Sequence, residues 1–316
     1  MAQLQRPALA YMQGKLVPWD QATLHIGCEA VTRGLNVFEG LKGYWQPDGQ
    51  FKMLMMRRHY ERLKKSARLL HIPCEYSFEQ YCDAVDQLIG ALVAPDRDMW
   101  ARTTLFVTDG HWGENTVSDL VVTAYHQEKK PPQPIKIGVS TWRRSSDVAL
   151  PARIKTSSNY QVSRLARIEG KPLGYEDMVL LNQSGRVAEA TASCLLMVRN
   201  ETIVTAPATE GALESITLDI VESLAQSMGI KFACRPIDRT ELLIADEIGV
   251  CGTLHEVTLA HTIEGFPLSE KSPILGAVQR RYLEAVRGID PHPSVELTAL
   301  PSVKTATSRA SEKIHE

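Results

Sequence analysis

A polar, proline-rich run, Gln127-Glu128-Lys129-Lys130-Pro131-Pro132-Gln133-Pro134, cuts the chain in two and limits what it can fold into. It follows Leu120-Val121-Val122-Thr123-Ala124-Tyr125, whose β-branched and apolar residues read as a strand. Prolines at this density favour an extended connector over helix or sheet. At 316 residues the chain is long enough to bury two cores. The expected division is a first domain over 1–127, a connector over 128–134, a larger domain over 135–290 and a C-terminal extension over 291–316.

Periodicity fills in both halves. A helix is predicted from about His59 to His71, with Leu63, Ala67 and Leu70 as its apolar stripe, and another from about Phe78 to Val93, with Tyr81, Val85, Leu88 and Leu92 on one face. In the second half Ser215 can cap a helix from Ile216 to about Met228, where Ile220, Leu224 and Met228 recur every four residues and Gly229 stops the run. Pro273 opens a further helix ending near Gly288. After Asp290 the pattern fades into Ser, Thr, Pro and Ala, and Ser308 to Glu316 reads as a mobile tail.

Composition narrows the function classes. A net charge of −2 with 23% charged residues gives no electrostatic case for nucleic acid or an anionic membrane. No apolar run approaches the roughly 18 residues that suggest a spanning helix, and Met1 to Pro18 lacks a signal-peptide pattern. Six scattered cysteines without a Cys-x-x-Cys pair read as reduced thiols of a cytoplasmic protein. His255 has no second histidine at metal spacing, so it reads as a loop or packing residue, and no Gly-x-Gly-x-x-Gly supports a nucleotide site.

The chemistry-bearing stretch is Arg153-Ile154-Lys155-Thr156-Ser157-Ser158-Asn159-Tyr160. Lys155 stands just before a predicted helix start, where the scaffold can aim its amine from a fixed point, as covalent catalysis by a lysine requires. Further on, Val179-Leu180-Leu181-Asn182-Gln183-Ser184-Gly185-Arg186-Val187-Ala188-Glu189 reads as strand, tight turn, strand, with a carboxylate on the return.

With Val37-Phe38-Glu39-Gly40-Leu41-Lys42, these segments resemble the class IV (fold type IV) pyridoxal-phosphate enzymes, most closely the branched-chain aminotransferases, over roughly Gln13 to Gly288. The resemblance implies a two-domain α+β (α/β) fold of the D-amino-acid-aminotransferase type, a small α/β domain beside a larger pseudo-barrel domain. It also implies pyridoxal 5'-phosphate as cofactor, and a homodimer whose active site lies between the domains and is closed by a loop of the neighbouring subunit. Lys155 matches the Schiff-base lysine, Tyr160 the residue hydrogen-bonded to the cofactor's phenolic oxygen, and Glu189 the acid facing the pyridine nitrogen. Leu213-Glu214-Ser215-Ile216-Thr217 matches the phosphate cradle, with Ile216 and Thr217 at a helix N-terminus and Leu213 on the pyridine face. Arg62 and Thr253 match two further phosphate ligands, while Arg57 and Arg58 read as surface charges.

The chain departs from the family pattern around the substrate. Trp100 and Arg33 stand where tyrosines are usual, Leu254-His255 where small residues are usual, Ala190 follows Glu189 in place of glycine, and Glu214-Ser215 replaces Pro-Gly. Glu214 is expected to point away from a phosphate. Arg33 and Arg102 are the candidates for clamping a carboxylate, with Phe38 and Trp100 as an apolar wall and Leu254 narrowing the pocket. The implied activity moves an amino group between an apolar, branched-chain-like amino acid and an α-keto acid such as 2-oxoglutarate. The alternative on the same fold is a D-amino-acid or (R)-amine transaminase, or a pyridoxal-phosphate lyase. A non-catalytic binding protein is disfavoured, because it would have no use for an acid that draws charge through the ring.

Overall fold

Gln127 ends one sheet and Ile135 opens another. The computed structural model describes residues 5–303. The first sheet has seven strands in the order Leu297–Ala299, Phe51–Leu54, Asn36–Trp45, Asp98–His111, Glu114–Gln127, Leu9–Met12 and Lys15–Pro18. Its spine is Asn36–Trp45, whose interior residues are buried throughout.

That burial on both faces has a simple cause. Successive side chains of a strand point to opposite sides, and here both sides are covered. Val37 and Leu41 join the core beneath the helices Met56–Leu69 and Phe78–Leu92, and Glu39 on the same face meets the first of them. Phe38 and Tyr44 face the other way, onto residues of the second half of the chain. Lys42 follows them and pairs with Glu256 at 2.8 Å, both groups buried.

The second sheet has nine strands: Lys231–Cys234, Thr202–Thr205, Cys194–Arg199, Glu247–Gly252, Glu256–Ile263, Ile135–Arg143, Asp177–Leu181 and Val187–Ala190 in order, with Phe266–Pro267 on the edge of Glu256–Ile263. The period of two again divides its burial. Cys194, Leu196 and Val198 pack under the helices Ile216–Ser227 and Pro273–Val286, whereas Leu195 and Met197 face the interior of the curled sheet with Val250 and Val204. The fold is a mixed α/β arrangement of two sheets, the larger curled into a half-barrel.

Helix limits follow the apolar stripes to within about three residues. The first long helix starts at Met56 and stops at Leu69, earlier at both ends than periodicity suggests, because Met55 turns through a left-handed conformation at φ 53° and sets the start. Ser77 and Gln80 form a capping box at Phe78–Leu92. Ser215 caps Ile216–Ser227 by accepting the Leu218 N–H. The segment after Asp290 returns to the first sheet: Leu297–Ala299 pairs antiparallel with Phe51–Leu54, and Leu300 and Val303 are buried in that core. A three-residue strand is too short to show a period, which is why the sequence gives no sign of it. The tail expected over Ser308 to Glu316 lies outside the described residues. Among those described, no helix is long and apolar enough to cross a membrane.

Candidate active site

Lys155 is fixed at its backbone from two directions. Its N–H donates to Ser66 Oγ on the Met56–Leu69 helix at 3.1 Å, and its carbonyl accepts the Phe38 N–H at 2.9 Å. A 3-10 turn, Ser157–Asn159, then leads into the helix Tyr160–Gly170. This short path brings the side chains together: Lys155 Nζ donates to Tyr160 Oη at 2.7 Å and lies 5.0 Å from the Phe38 ring centroid.

Glu189 reaches the same cavity from the strand Val187–Ala190, opposite Leu180. Its Oε2 accepts the Leu213 N–H at 3.0 Å and its Oε1 lies 3.0 Å from Arg144 Nη2. Leu213 runs into the Ser215 cap, so the acid and the helix N-terminus share one loop. The first N–H groups of a helix have no partner within it, and Ile216 and Thr217 stand at the wall of a cavity. Lys155, Tyr160, Glu189, Arg62, Leu213 and Thr253 line the same cavity.

Arg62 is gripped from behind. Its Nε and Nη2 donate to Glu39 at 2.8 and 2.7 Å, and its Nη1 donates to the Glu214 carbonyl at 2.6 Å. His59 Nδ1 lies 2.7 Å from the same carboxylate. Burial, the largest single influence, would raise the pKa of Glu39, but the charge and hydrogen bonds of Arg62 together with His59 outweigh it and bring the group down to about 2. A guanidinium carries more N–H donors than the three engaged here, so Arg62 keeps capacity for an anion. Glu214 itself faces outward, with a side chain 58% exposed.

The predicted substrate residues divide into two groups. Phe38 and Arg102 lie beside the lysine: the Arg102 guanidinium lies 3.7 Å from the Phe38 ring centroid, its Nη2 donates to Ser157 Oγ, and the Phe38 and Tyr160 rings meet edge to face at 5.0 Å. Trp100 stacks on Tyr125 at 5.5 Å. Its indole also explains Gly40, since a Cβ there would come within 3.0 Å of Trp100 Nε1. Arg33 lies elsewhere, pairing with Glu29 at 3.0 Å and covering the Trp112 ring at 4.5 Å. Leu254 is half-buried on the turn beyond Thr253, outside the lining of the cavity.

Several participants had no motif to reveal them. Arg144 simply follows the strand Ile135–Arg143, as the second of two arginines. His59 matters only because folding sets it against Glu39, and Glu39, though inside the Val37–Lys42 segment, takes its part only where folding sets it against Arg62. Tyr125 is identified by its register opposite Trp100. Ser193 Oγ is buried without a hydrogen-bond partner among the described residues and lines the cavity beside Cys194 and Cys251. His255, read as a packing histidine, sits with Nε2 3.6 Å from the buried Asp177.

Residues 36–263 match the family model for amino-transferase class IV. The chain is 32% identical over 275 residues to the "Probable branched-chain-amino-acid aminotransferase" of Synechocystis sp., covering 84% of this chain and 88% of that one. It is 28% identical to the branched-chain-amino-acid aminotransferase of Escherichia coli K12, covering 88% and 92%. Among solved structures, the branched-chain aminotransferase of Thermoproteus uzoniensis with norvaline superposes with a TM-score of 0.86 at 26% identity, over 92% of this chain and 99% of that one. The Thermobaculum terrenum enzyme in its PLP-form gives 0.83 at 29% identity, over 92% and 98%. A match of this length means that the chain belongs to the class IV aminotransferases, on their branched-chain side.

Proposed function

We propose that this protein is a pyridoxal-phosphate-dependent aminotransferase that moves an amino group between an apolar, branched-chain-type amino acid and an α-keto acid such as 2-oxoglutarate. The observation that carries the reading is the pairing of Lys155 Nζ with Tyr160 Oη at 2.7 Å in the cavity that also holds Glu189 and the Ile216–Ser227 N-terminus. The cavity suits the cofactor's two ends. Spare donors on Arg62, the unpaired helix N–H groups and the partnerless Ser193 hydroxyl are complementary to a phosphate, and Glu189 to a ring nitrogen. When bound, pyridoxal phosphate supplies an aldehyde that joins an amine and a ring that accepts charge released at the substrate Cα.

The chain's own residues do the rest. Lys155 Nζ takes the Cα proton and returns it, at the end of a side chain whose backbone is pinned at both N–H and carbonyl. Tyr160 Oη holds that amine in line. Phe38 covers the lysine on one side, Leu213 lines the cavity, and Arg102, which has no carboxylate partner among the described residues, is the guanidinium placed to receive a substrate carboxylate.

A homodimer is part of the same reading. It is supported by exposed apolar residues around Arg33, namely Ile26 at 79%, Val31 and Trp112 at 75%; light scattering that found only monomers would remove it. The test of the activity is a donor panel. L-valine, L-leucine and L-isoleucine with 2-oxoglutarate are expected to release the matching keto acids. Turnover confined to D-amino acids or (R)-amines would overturn the assignment in favour of the other transaminases of this fold.

A further inference from the structure

Arg144 is buried to 4% exposure in the wall behind the active site, and it is not on a strand, a helix or a motif. Its guanidinium spreads over three segments. Nε donates to the Gly211 carbonyl and Nη1 to the Asn159 carbonyl, each at 3.2 Å, and Nη2 lies 3.0 Å from Glu189 Oε1. Each segment carries a cavity group close by: Asn159 precedes Tyr160, Gly211 leads into Leu213, and Glu189 is itself the acid.

We propose that Arg144 is the positioning residue that sets the Glu189 carboxylate opposite the cofactor's ring nitrogen. The proposal rests on the pyridoxal-phosphate reading above. A carboxylate on a strand has rotational freedom at its end, and among the described residues two contacts hold this one, the Leu213 N–H on Oε2 and Arg144 on Oε1. With one oxygen fixed by each, the carboxylate plane is set and its remaining lone pairs stay open toward the cavity. Removing Arg144 leaves a single tether and a buried acid without its counter-ion. A lysine could restore the charge, but a single ammonium on a flexible stem cannot span the three acceptors that the planar fork reaches. Arg144 lines the same cavity, and the role proposed for it runs through Glu189.

The test compares wild type, Arg144→Lys and Arg144→Met, each loaded with pyridoxal phosphate carrying nitrogen-15 in the ring. Both variants are expected to keep a borohydride-sensitive visible colour, because Lys155 is intact. Their ring-nitrogen resonance should move from the protonated toward the unprotonated position as the acid drifts from its place. In the same samples kcat should fall by about tenfold or more while KM for the amino donor stays within about threefold, the pattern of an interaction made in the transition state. Variants with the wild-type nitrogen resonance and kcat would overturn the proposal. Should Arg144→Met fail to fold, the same readings on Arg144→Lys decide it. Wild-type protein that takes up no pyridoxal phosphate would overturn the functional reading as well, whereas a loaded, active wild type with unchanged variants would overturn this proposal alone.

Discussion

Glu39, fully buried, receives two parallel N–H bonds from Arg62, at 2.8 and 2.7 Å, across a contact between strand and helix. The pair keeps the guanidinium at the cavity wall with the helix terminus and Thr253. Glu39→Gln would remove the counter-charge and leave Arg62 to swing. Affinity for pyridoxal phosphate is expected to weaken by about tenfold or more, roughly the 1.4 kcal/mol of one decade. Fluorescence titration of the apoprotein checks it, and unchanged affinity would show that Arg62 needs no such support.

The same carboxylate gives an acid-stability prediction. Its folded-state pKa of about 2 lies below the ordinary 4.5. A depressed carboxylate contributes stability that is whole above the unfolded value and is lost as pH falls from about 4.5 toward about 2. Wild type should therefore lose thermal stability steeply in that window. Glu39→Gln should start lower and show a flatter acid limb when Tm is followed against pH.

Tyr160→Phe removes the oxygen 2.7 Å from Lys155 Nζ. A hydrogen bond to a charged group contributes about 1.5–3 kcal/mol, so kcat should fall by roughly ten- to a hundredfold. The visible absorbance maximum of the loaded enzyme should shift in the same variant. A kcat within twofold of wild type would mean that the hydroxyl is incidental.

Lys155→Ala should leave no cofactor adduct after borohydride reduction and lower the rate by at least ~10²-fold, the contribution of one positioned proton-transfer group. Peptide mass spectrometry of reduced wild type should find the adduct on Lys155. An adduct on any other lysine would move the site.

The two arginines proposed for the substrate carboxylate now separate. Arg102 lies over Phe38 beside Lys155, while Arg33 is held by Glu29 and Trp112. Arg102→Gln is expected to raise KM for the keto acid by about tenfold or more, and Arg33→Gln to raise it much less. The reverse order, read from initial rates, would return the clamp to Arg33.

What was legible in the sequence was short-range. Lys155 before a helix start, Glu189 after a tight turn, and Ser215 capping a helix are each decided within a few residues, by local backbone geometry and the unpaired N–H groups of a helix end. Strand and helix periods likewise follow from side-chain direction along the chain. Their limits shifted only where a neighbour intervened, as Met55 did for the first long helix.

The amino-acid order alone thus determined which chemical groups the protein owns and which local elements carry them. Only the tertiary structure decided that Glu39 grips Arg62, that Arg144 reaches three loops at once, that Arg33 turns toward Glu29, and that Leu297–Ala299 completes the first sheet. Those contacts join residues far apart in the chain. They exist because two sheets and their covering helices bury charged side chains, and a buried charge must find its partner wherever packing brings one within reach.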